Sequence, residues 1–402
     1  MTVRIINGDM LAELPKMAAN SLHACVTDPP YELGFMGKKW DSTGIAFRPE
    51  TWAEVYRVLR PGAYLLAFGA PRNAHRMTCA IEDAGFEIRD TIMWLFGSGF
   101  PKSHDVSKAL DRKAGAEREV VDRVRIKGGG TEHINRSNAA VHEYRPDGYQ
   151  KGENILDVTA PATEEAKRWQ GWGSALKPAH EPIIVARKPL DGTIADNVLK
   201  WGVGGINVDG CRVGEEVTTT LRNGNSGGNG AYGRDERVFA RENPPGRWPA
   251  NVAHDGSEEV IAAFPDSDGR SGAVKGTEPS ATGGNGIFGH YNRVPIGGAR
   301  EPRVETDKSA ARFFYCGKAR ASDRVGSKHP TVKPIALMRW LVTMVTPPNG
   351  TVLDPFAGTG STLLAAAQLG FHAIGIEADP TYAEDARRKF VADGGLFSDI
   401  RS

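Results

Sequence analysis

The sequence lacks the features of several common protein classes. Its four cysteines, Cys25, Cys79, Cys211 and Cys316, lie far apart, and no CxxC pair occurs among them. This spacing excludes a disulfide framework and a cysteine-ligated zinc site, and it is typical of a protein from a reducing cytoplasm. We therefore predict neither disulfides nor a metal site.

An excess of charge of one sign and long apolar runs are also missing. The formal net charge is +1 over 402 residues, so any basic surface for a nucleic acid would have to be local. No apolar run approaches the length of a membrane span, and the N-terminus MTVRIINGDM has no signal-peptide core. We expect a cytoplasmic protein that does not contact a membrane.

The beginning and the end of the chain alternate strand-like and helix-like segments. Short β-branched and aromatic runs predict strands, and segments with helical apolar spacing separate them. This alternation indicates an α/β fold with a parallel sheet covered by helices. The predicted strands are 3–6, 24–27, 63–68, 86–96, 180–189, 311–317, 351–353 and 372–376, and the predicted helices are 10–17, 51–59, 73–83, 334–345, 361–369 and 380–390.

The middle of the chain, from about residue 99 to 328, has a different composition. It is rich in Gly, Asn, Arg and Ser, with stretches such as RNGNSGGNGAYGRDE that predict long loops. The two predicted strands within it, 180–189 and 311–317, are its core-like segments. Most of this region is therefore expected to lie outside the sheet.

A buried strand ends abruptly in Asp28, Pro29, Pro30 and Tyr31. Two successive prolines allow neither a helix nor further sheet pairing, so the turn they form is rigid. Taken alone, Asp-Pro-Pro is usually only a turn that terminates a strand. Its meaning depends on a second turn far downstream.

That second turn is the glycine-rich segment DPFAGTG, from Asp354 to Gly360. Glycines between a strand and a helix let a ligand approach the backbone, and the helix offers free N–H groups. The next strand ends in Glu377, where an acid typically binds the ribose of a nucleoside cofactor. Leu363 stands where a dinucleotide fingerprint needs glycine, and the GK[ST] of a Walker loop is missing, so NAD and ATP are disfavoured.

The pair DPPY and DPFAGTGST resembles the amino-group DNA methyltransferases, which methylate adenine N6 or cytosine N4 with S-adenosylmethionine. DPPY matches the catalytic motif of that family, and FAGTG matches its cofactor motif, FxGxG. The catalytic half comes first here, which is similar to the permuted arrangement called the β class. The resemblance implies a Rossmann-like, doubly wound, mostly parallel seven-stranded sheet, circularly permuted, in which strand 3–6 follows the strand of Glu377.

The resemblance also implies a division of the chain. Residues 1–100 would form the catalytic half, and 329–402 the cofactor-binding half. Residues 101–328 would form a large loop-rich insertion that recognises the target sequence and lends its segment 180–190 to the core. Its Arg and Asn side chains would read base edges of double-stranded DNA, although a flexible insertion of little function is the alternative.

Roles for individual residues follow from the same resemblance. Asp28 and the Pro29 carbonyl would accept the N–H groups of the target amine, Pro30 would stiffen the turn, and Tyr31 would stack on a base flipped out of the duplex. The segments IINGDM and HPTVKP would contact the adenine and approach the methionine part of the cofactor. The implied cofactor-binding residues are Asp9, Thr331, Lys333, Asp354, Phe356, Ala357, Gly358, Thr359, Gly360 and Glu377.

Several alternatives stay open at this point. DPPY is commoner in adenine enzymes of this family and SPPY in cytosine-N4 enzymes, so we predict adenine N6, with cytosine N4 as the alternative. A methyltransferase for RNA or a protein amide, and a DNA-binding regulator without catalysis, are disfavoured by the permuted order and by intact Asp28 and Tyr31. The residues do not reveal homodimerisation, or whether a partner nuclease makes this a restriction–modification enzyme.

Overall fold

The computed structural model describes residues 1–33, 42–97, 99, 103–125, 155–215, 219–223, 238–242, 244–267, 284–286, 289–291, 309–319, 323, 332–392 and 400–401. The strands in these ranges are β1 (Val3–Asn7), β2 (Leu22–Thr27), β3 (Leu59–Phe68), β4 (Glu87–Leu95), β5 (Val120–Arg125), β6 (Ile155–Thr159), β7 (His180–Arg187), β8 (Thr219–Asn223), β9 (Val238–Glu242), β10 (Val252–His254), β11 (Gly284–Gly286), β12 (Gly289–Tyr291), β13 (Tyr315–Cys316), β14 (Thr351–Asp354), β15 (His372–Glu377) and β16 (Ile400–Arg401). The helices are α1 (Met10–Glu13), α2 (Pro49–Val58), α3 (Ala74–Asp83), α4 (Val106–Ala114), α5 (Glu164–Arg168), α6 (Ile194–Trp201), α7 (Glu258–Ala263), α8 (Ile335–Val345), α9 (Ser361–Gln368) and α10 (Pro380–Ala392).

Ten of the described strands form one sheet in the order β13-β10-β4-β7-β3-β2-β14-β15-β1-β16. Its pairs are parallel except those of β7, which runs antiparallel to both β3 and β4. The strands from β4 to β1 form a core of seven, as predicted. The sheet is wider than the prediction because the short segments β13, β10 and β16 pair with backbone groups that its edges would otherwise expose.

Strands from the two ends of the chain are neighbours in this sheet. β1 pairs in parallel with β15, from Val3 beside Ala373 to Asn7 beside Glu377. β14 lies between β15 and β2, so strands from the end and the beginning of the chain alternate. The predicted circular permutation is therefore confirmed.

Helices cover both faces of the sheet, as expected for a doubly wound fold. Alternate side chains of β3 point to opposite faces, so Leu66 and Phe68 join one apolar core and Leu65 and Ala67 join the other. Buried side chains of α8, α9 and α10 complete the first core. Those of α1, α2 and α3 complete the second.

Three predicted elements differ from the observed ones. The first predicted helix, 10–17, is only α1 followed by a 3₁₀ turn at Leu14–Lys16, where Pro15 cannot donate a helical hydrogen bond. Pro61 and Gly62 do not end the second helix, since β3 begins at Leu59 and runs through them, with Gly62 at a φ of 80°. The segment 311–317 is strand only in β13, because Ala310–Phe313 forms a 3₁₀ turn.

The chain divides into two compact units, Ser98–Ala179 and the remainder. The smaller unit contains α4, α5 and the antiparallel pair β5–β6. Its buried Asp111 carboxylate accepts hydrogen bonds from Arg118, from the Ala162 N–H and from Thr163. The larger unit, Met1–Gly97 with His180–Ser402, contains the ten-stranded sheet.

The segment 101–328 therefore contributes to both units. Its part before residue 180 belongs to the smaller unit, whereas β7, β10 and β13 belong to the sheet. Apolar side chains of β7 such as Ile183 and Ile184 are buried in the two cores, which explains why this part of the segment joins the larger unit. The target-recognition role of 101–328 stays a prediction. Within the described ranges, no helix combines the length and apolarity that a membrane span requires.

Candidate functional site

The turns after β2 and β14 open into one cavity of about 560 Å³. They meet because β2 and β14 are parallel neighbours, so their carboxyl ends lie at the same edge of the sheet. Thr331 lies outside the described residues, and Gly360 does not line the cavity. The predicted site residues that do line it are Asp9, Asp28, Pro29, Pro30, Tyr31, Lys333, Asp354, Phe356, Ala357, Gly358, Thr359 and Glu377.

The two oxygens of the Asp28 carboxylate have different surroundings. Oδ2 accepts a hydrogen bond from Lys333 Nζ at 2.7 Å. Oδ1 is buried and accepts none from any part of the chain that the structure describes. A buried acceptor without a donor costs about 1–3 kcal/mol or more, so Oδ1 marks a place where an external N–H group would be stabilised.

Tyr31 is held at both of its polar ends. Its hydroxyl donates to Glu181 Oε2 at 3.0 Å and accepts from Lys333 Nζ at 3.1 Å. Its backbone carbonyl accepts from Asn73 Nδ2 at 2.6 Å. Burial, and then the charges of Asp28 and Glu181, raise the pKa of the Tyr31 hydroxyl well above its usual value, so it stays protonated at neutral pH.

Lys333 is a buried cation, with 5% of its surface exposed. Besides contacting Asp28 and Tyr31, its Nζ lies 3.3 Å from Glu181 Oε2. Burial by itself would lower the pKa of Lys333, but the charges of Asp28 and Glu181 more than offset this effect, so its pKa is raised. The structure thus places Lys333 against the DPPY turn, and its predicted contact with the cofactor stays a prediction.

Asp354 joins the two turns to each other. Its Oδ1 accepts from Thr27 Oγ1 at 2.7 Å and from the Phe356 N–H at 3.1 Å. Thr27 directly precedes Asp28, so this contact fixes the start of the DPPY turn against the glycine-rich turn. Burial raises the pKa of Asp354 to about 6; hydrogen bonds from Thr27, Thr362 and Phe356 partly oppose this rise, and Asp28 adds to it.

Glu377 and Gly358 form the polar part of the predicted cofactor site. Glu377 Oε2 accepts from the Gly358 N–H at 2.7 Å, and Oε1 accepts from the Asp379 N–H at 2.8 Å. Each carboxylate oxygen can accept a second hydrogen bond. Burial raises the pKa of Glu377, and the two backbone N–H groups oppose that rise. A carboxylate oriented in this way fits a pair of ribose hydroxyls.

The remaining wall beside Glu377 is mostly apolar. Met10, Leu11, Phe356 and Ile376 line it, which suits the flat ring of a nucleoside. Asp9 lies at its edge, where Oδ1 caps α1 by accepting from the Leu11 N–H at 2.8 Å. The side chain thus has a structural role at the end of the helix, and its contact with the adenine ring stays a prediction.

Gly360 has a packing role at the start of α9, and its predicted contact with the cofactor stays a prediction. Its φ is 75°, a left-handed conformation that favours glycine. A Cβ atom there would lie 3.0 Å from the Ala386 Cβ. The missing side chain therefore lets α10 pack closely against the start of α9.

The sequence gives no functional role to two side chains that contact the DPPY turn, Glu181 and Asn73. Glu181 is an acid next to the apolar run Pro182–Ala186, and an acid in that position is the one local signal that could have identified it. Asn73 lies in the turn before α3, where it reads as a helix-capping residue. Both reach Tyr31 through the order of the strands.

Comparison with known proteins adds three findings. A family model described as "N6_N4_Mtase: DNA methylase" matches residues 22–388. The "Type II methyltransferase M.HindIII" of Haemophilus influenzae is 23% identical over 417 residues, covering 93% of this chain and 90% of that protein. Two solved structures have similar folds, although their TM-scores are low. The match to the "M1.HpyAVI-SAM complex" has a TM-score of 0.37 and 15% sequence identity, and it covers 96% of this chain and 100% of the other. The "PvuII DNA methyltransferase (cytosine-N4-specific)" (TM-score 0.43, 13% identity) covers 100% of this chain and 89% of that one.

Proposed function

The chain belongs to the N6_N4_Mtase family of DNA methylases, and on that premise we propose that it methylates adenine N6 in double-stranded DNA. The methyl donor is S-adenosylmethionine, the cofactor of the family. The observation that carries the proposal is the buried Oδ1 of Asp28, which has no hydrogen-bond partner among the residues that the structure describes and lies in the same cavity as Gly358 and Glu377. The alternative target is cytosine N4.

The Asp28 carboxylate answers a chemical difficulty. An exocyclic amine is a poor nucleophile because its lone pair is delocalised into the ring. Asp28 Oδ1 and the Pro29 carbonyl would accept its two N–H groups and direct the lone pair toward the donor. Because two prolines stiffen the turn, these acceptors are held in position before the substrate arrives, which lowers the entropic cost of reaction.

The cofactor would lie along the glycine-rich turn. Glu377 would accept hydrogen bonds from its ribose, and the apolar wall at Leu11 and Phe356 would contact its adenine ring. When bound, it supplies a methyl group on a sulfonium sulfur: the S–C bond breaks with its electron pair going to sulfur, and an N–C bond forms. The methylated amine then loses one proton, for which Asp28 Oδ1 is the nearest proposed acceptor.

Tyr31 would hold the target base outside the duplex. Flipping a base costs a few kcal/mol of stacking and pairing, and one aromatic stack returns about 1–3 kcal/mol. The hydroxyl of Tyr31 and its backbone carbonyl are both hydrogen-bonded, so the ring is oriented before a base binds.

The choice of adenine rests on the first residue of DPPY, since the contacts proposed for Asp28 would serve either amine. The test is to methylate unmodified DNA with the purified chain and S-adenosylmethionine, digest the product to nucleosides and identify the modified base by mass. We expect N6-methyldeoxyadenosine, with the Asp28→Ala variant as the inactive control. N4-methyldeoxycytidine alone would support the alternative target, and unmodified DNA would overturn the proposed function.

A further inference from the structure

A closed set of hydrogen bonds and ion pairs lies behind the DPPY turn. Lys333 Nζ contacts Asp28 Oδ2 at 2.7 Å, the Tyr31 hydroxyl at 3.1 Å and Glu181 Oε2 at 3.3 Å. The Tyr31 hydroxyl in turn donates to the same oxygen of Glu181 at 3.0 Å. Lys333 thus donates two hydrogen bonds, to Asp28 and Tyr31, and forms an ion pair with Glu181.

Glu181 adds a second carboxylate to this set. With Glu181 the cluster contains two carboxylates and one ammonium, all with little exposure: the side-chain values are 6% for Lys333, 21% for Asp28 and 19% for Glu181. Without Glu181, Lys333 would keep a single carboxylate partner, and the Tyr31 hydroxyl would lose its acceptor. The positions of both groups therefore depend on Glu181.

Glu181 is also a rigid anchor. It lies in β7, which is hydrogen-bonded on both sides, to β3 and to β4, and its register partner in β4 is Trp94. The carbonyl of the next residue, Pro182, accepts from the Gly69 N–H at 2.9 Å. Side chains on a strand held in this way keep their geometry more accurately than side chains on loops.

The consequence for Asp28 concerns which oxygen faces the substrate. Because Lys333 occupies Oδ2, the carboxylate cannot rotate without breaking an ion pair, and only Oδ1 stays available. The position of Lys333 is set by Glu181 on its other side. Tyr31, the proposed stacking ring, is fixed by the same Glu181 oxygen.

We infer that Glu181 is a positioning residue for methyl transfer: through Lys333 and the Tyr31 hydroxyl it orients the Asp28 carboxylate and the Tyr31 ring toward the target base. This inference rests on the proposed function, since it assigns Glu181 a part in the same reaction. Glu181 itself touches neither the base nor the cofactor in this scheme. It acts on the step in which the amine is oriented, and not on cofactor binding.

The test compares Glu181→Gln with the wild type in single-turnover methylation of DNA across pH. We expect unchanged affinity for S-adenosylmethionine and a methyl-transfer rate lower by roughly ten- to hundred-fold, the cost of misplaced reacting groups. The groups facing Glu181 are Lys333, Asp28 and Tyr31, and burial raises the pKa of the Glu181 carboxyl. Protonation of Glu181 should therefore produce an acidic limb in the rate profile of the wild type, and Glu181→Gln, which cannot ionise at this position, should lack that limb.

The matched control is Glu87→Gln. Glu87 also forms an ion pair with a residue of β7, Arg187, but at the opposite end of the strand and outside the cavity. We expect the control to keep both the rate and the acidic limb of the wild type. A residue with a merely structural role would change stability without removing that limb.

A second variant, Glu181→Asp, keeps the carboxylate charge on a side chain that is one methylene group shorter. It should leave the acidic limb in place while lowering the rate, and it carries the test if Glu181→Gln fails to bind S-adenosylmethionine. Wild-type rate and profile in either variant would overturn the inference. Absence of methylation by the wild-type chain would instead overturn the proposed function, so the two failures are distinguishable.

Discussion

The occupancy of individual carboxylate oxygens determines what this site can do. In Asp28 one oxygen is bound to Lys333 and the other has no partner among the described residues. In Glu377 both oxygens accept backbone N–H groups and have room for one more donor each. The first arrangement suits an amine that must be oriented, and the second suits a ribose.

Asp28→Ala tests the first arrangement. We expect this variant to bind S-adenosylmethionine as the wild type does, because its residues for the cofactor are intact, and to lose methyl transfer. Calorimetric titration with the cofactor and transfer of a labelled methyl group to DNA measure the two properties separately. Transfer at the wild-type rate would show that Asp28 is not the acceptor of the amine.

Lys333→Met distinguishes the cofactor contact that the motif predicts for Lys333 from the contacts with Asp28 and Tyr31 that the structure shows. Removing one partner of a buried ion pair costs about 3–5 kcal/mol, so we expect this loss of stability together with loss of methyl transfer. The affinity for S-adenosylmethionine should change little. The control Lys200→Met removes an exposed pair with Asp191, worth about 1 kcal/mol or less. A selective loss of cofactor affinity would support the predicted cofactor role instead.

The packing of α9 against α10 depends on the glycine at the start of α9. Gly360 caps α9 in a left-handed conformation and lies against Ala386 of α10. Gly370 follows the same helix at a φ of 82° and has nothing within 4 Å of the position of a Cβ atom. The two glycines thus share a backbone requirement and differ in their surroundings.

This difference gives a matched pair of variants. We expect both Gly360→Ala and Gly370→Ala to lower the free energy of unfolding by about 1–2 kcal/mol, because a left-handed conformation costs an L-residue that much. Gly360→Ala should lose more, because its methyl group would press against Ala386. Urea unfolding of both variants measures the comparison. Equal decreases in the free energy of unfolding would mean that α10 accommodates the added methyl group without destabilising the protein.

Two hydrogen bonds to histidine side chains join the beginning of the chain to its end. The Thr2 N–H donates to His372 Nδ1, and the Thr351 N–H donates to His23 Nδ1. An imidazole nitrogen can accept these bonds only while it is unprotonated. Burial, followed by the charges of Arg60 and His372, lowers the pKa of His23 to about 4.

Stability should therefore depend on pH through His23. Its pKa is lower in the folded protein than in the unfolded chain, so its stabilising effect is complete above about pH 6.5 and is lost as the pH falls toward 4. We expect a loss of about 2 kcal/mol, allowing for solvent screening of a partly buried ring. Urea unfolding of the wild type and of His23→Gln at several pH values measures the contribution of His23, because the other titrating groups are common to both proteins. Parallel curves for the two proteins would contradict the assignment.

By itself, the sequence determined the strands with strong apolar patterns, the two turns that carry the predicted ligand-binding residues and the permuted order of the halves. These properties are local, since periodicity and motif depend on residues close together in the chain. The pairing of β1 with β15 confirms the permutation, and the strands of DPPY and DPFAGTG are neighbours as that order requires.

Only the tertiary structure decided which distant side chains complete the site. Glu181 reaches Tyr31 because β7 enters the sheet in antiparallel orientation between β3 and β4, and no local pattern encodes that position. The contact of Gly360 with Ala386 likewise depends on where α10 packs after β15. The physical reason is the same in both cases: hydrogen bonds and close packing act over a few ångströms in space, whatever the separation along the chain.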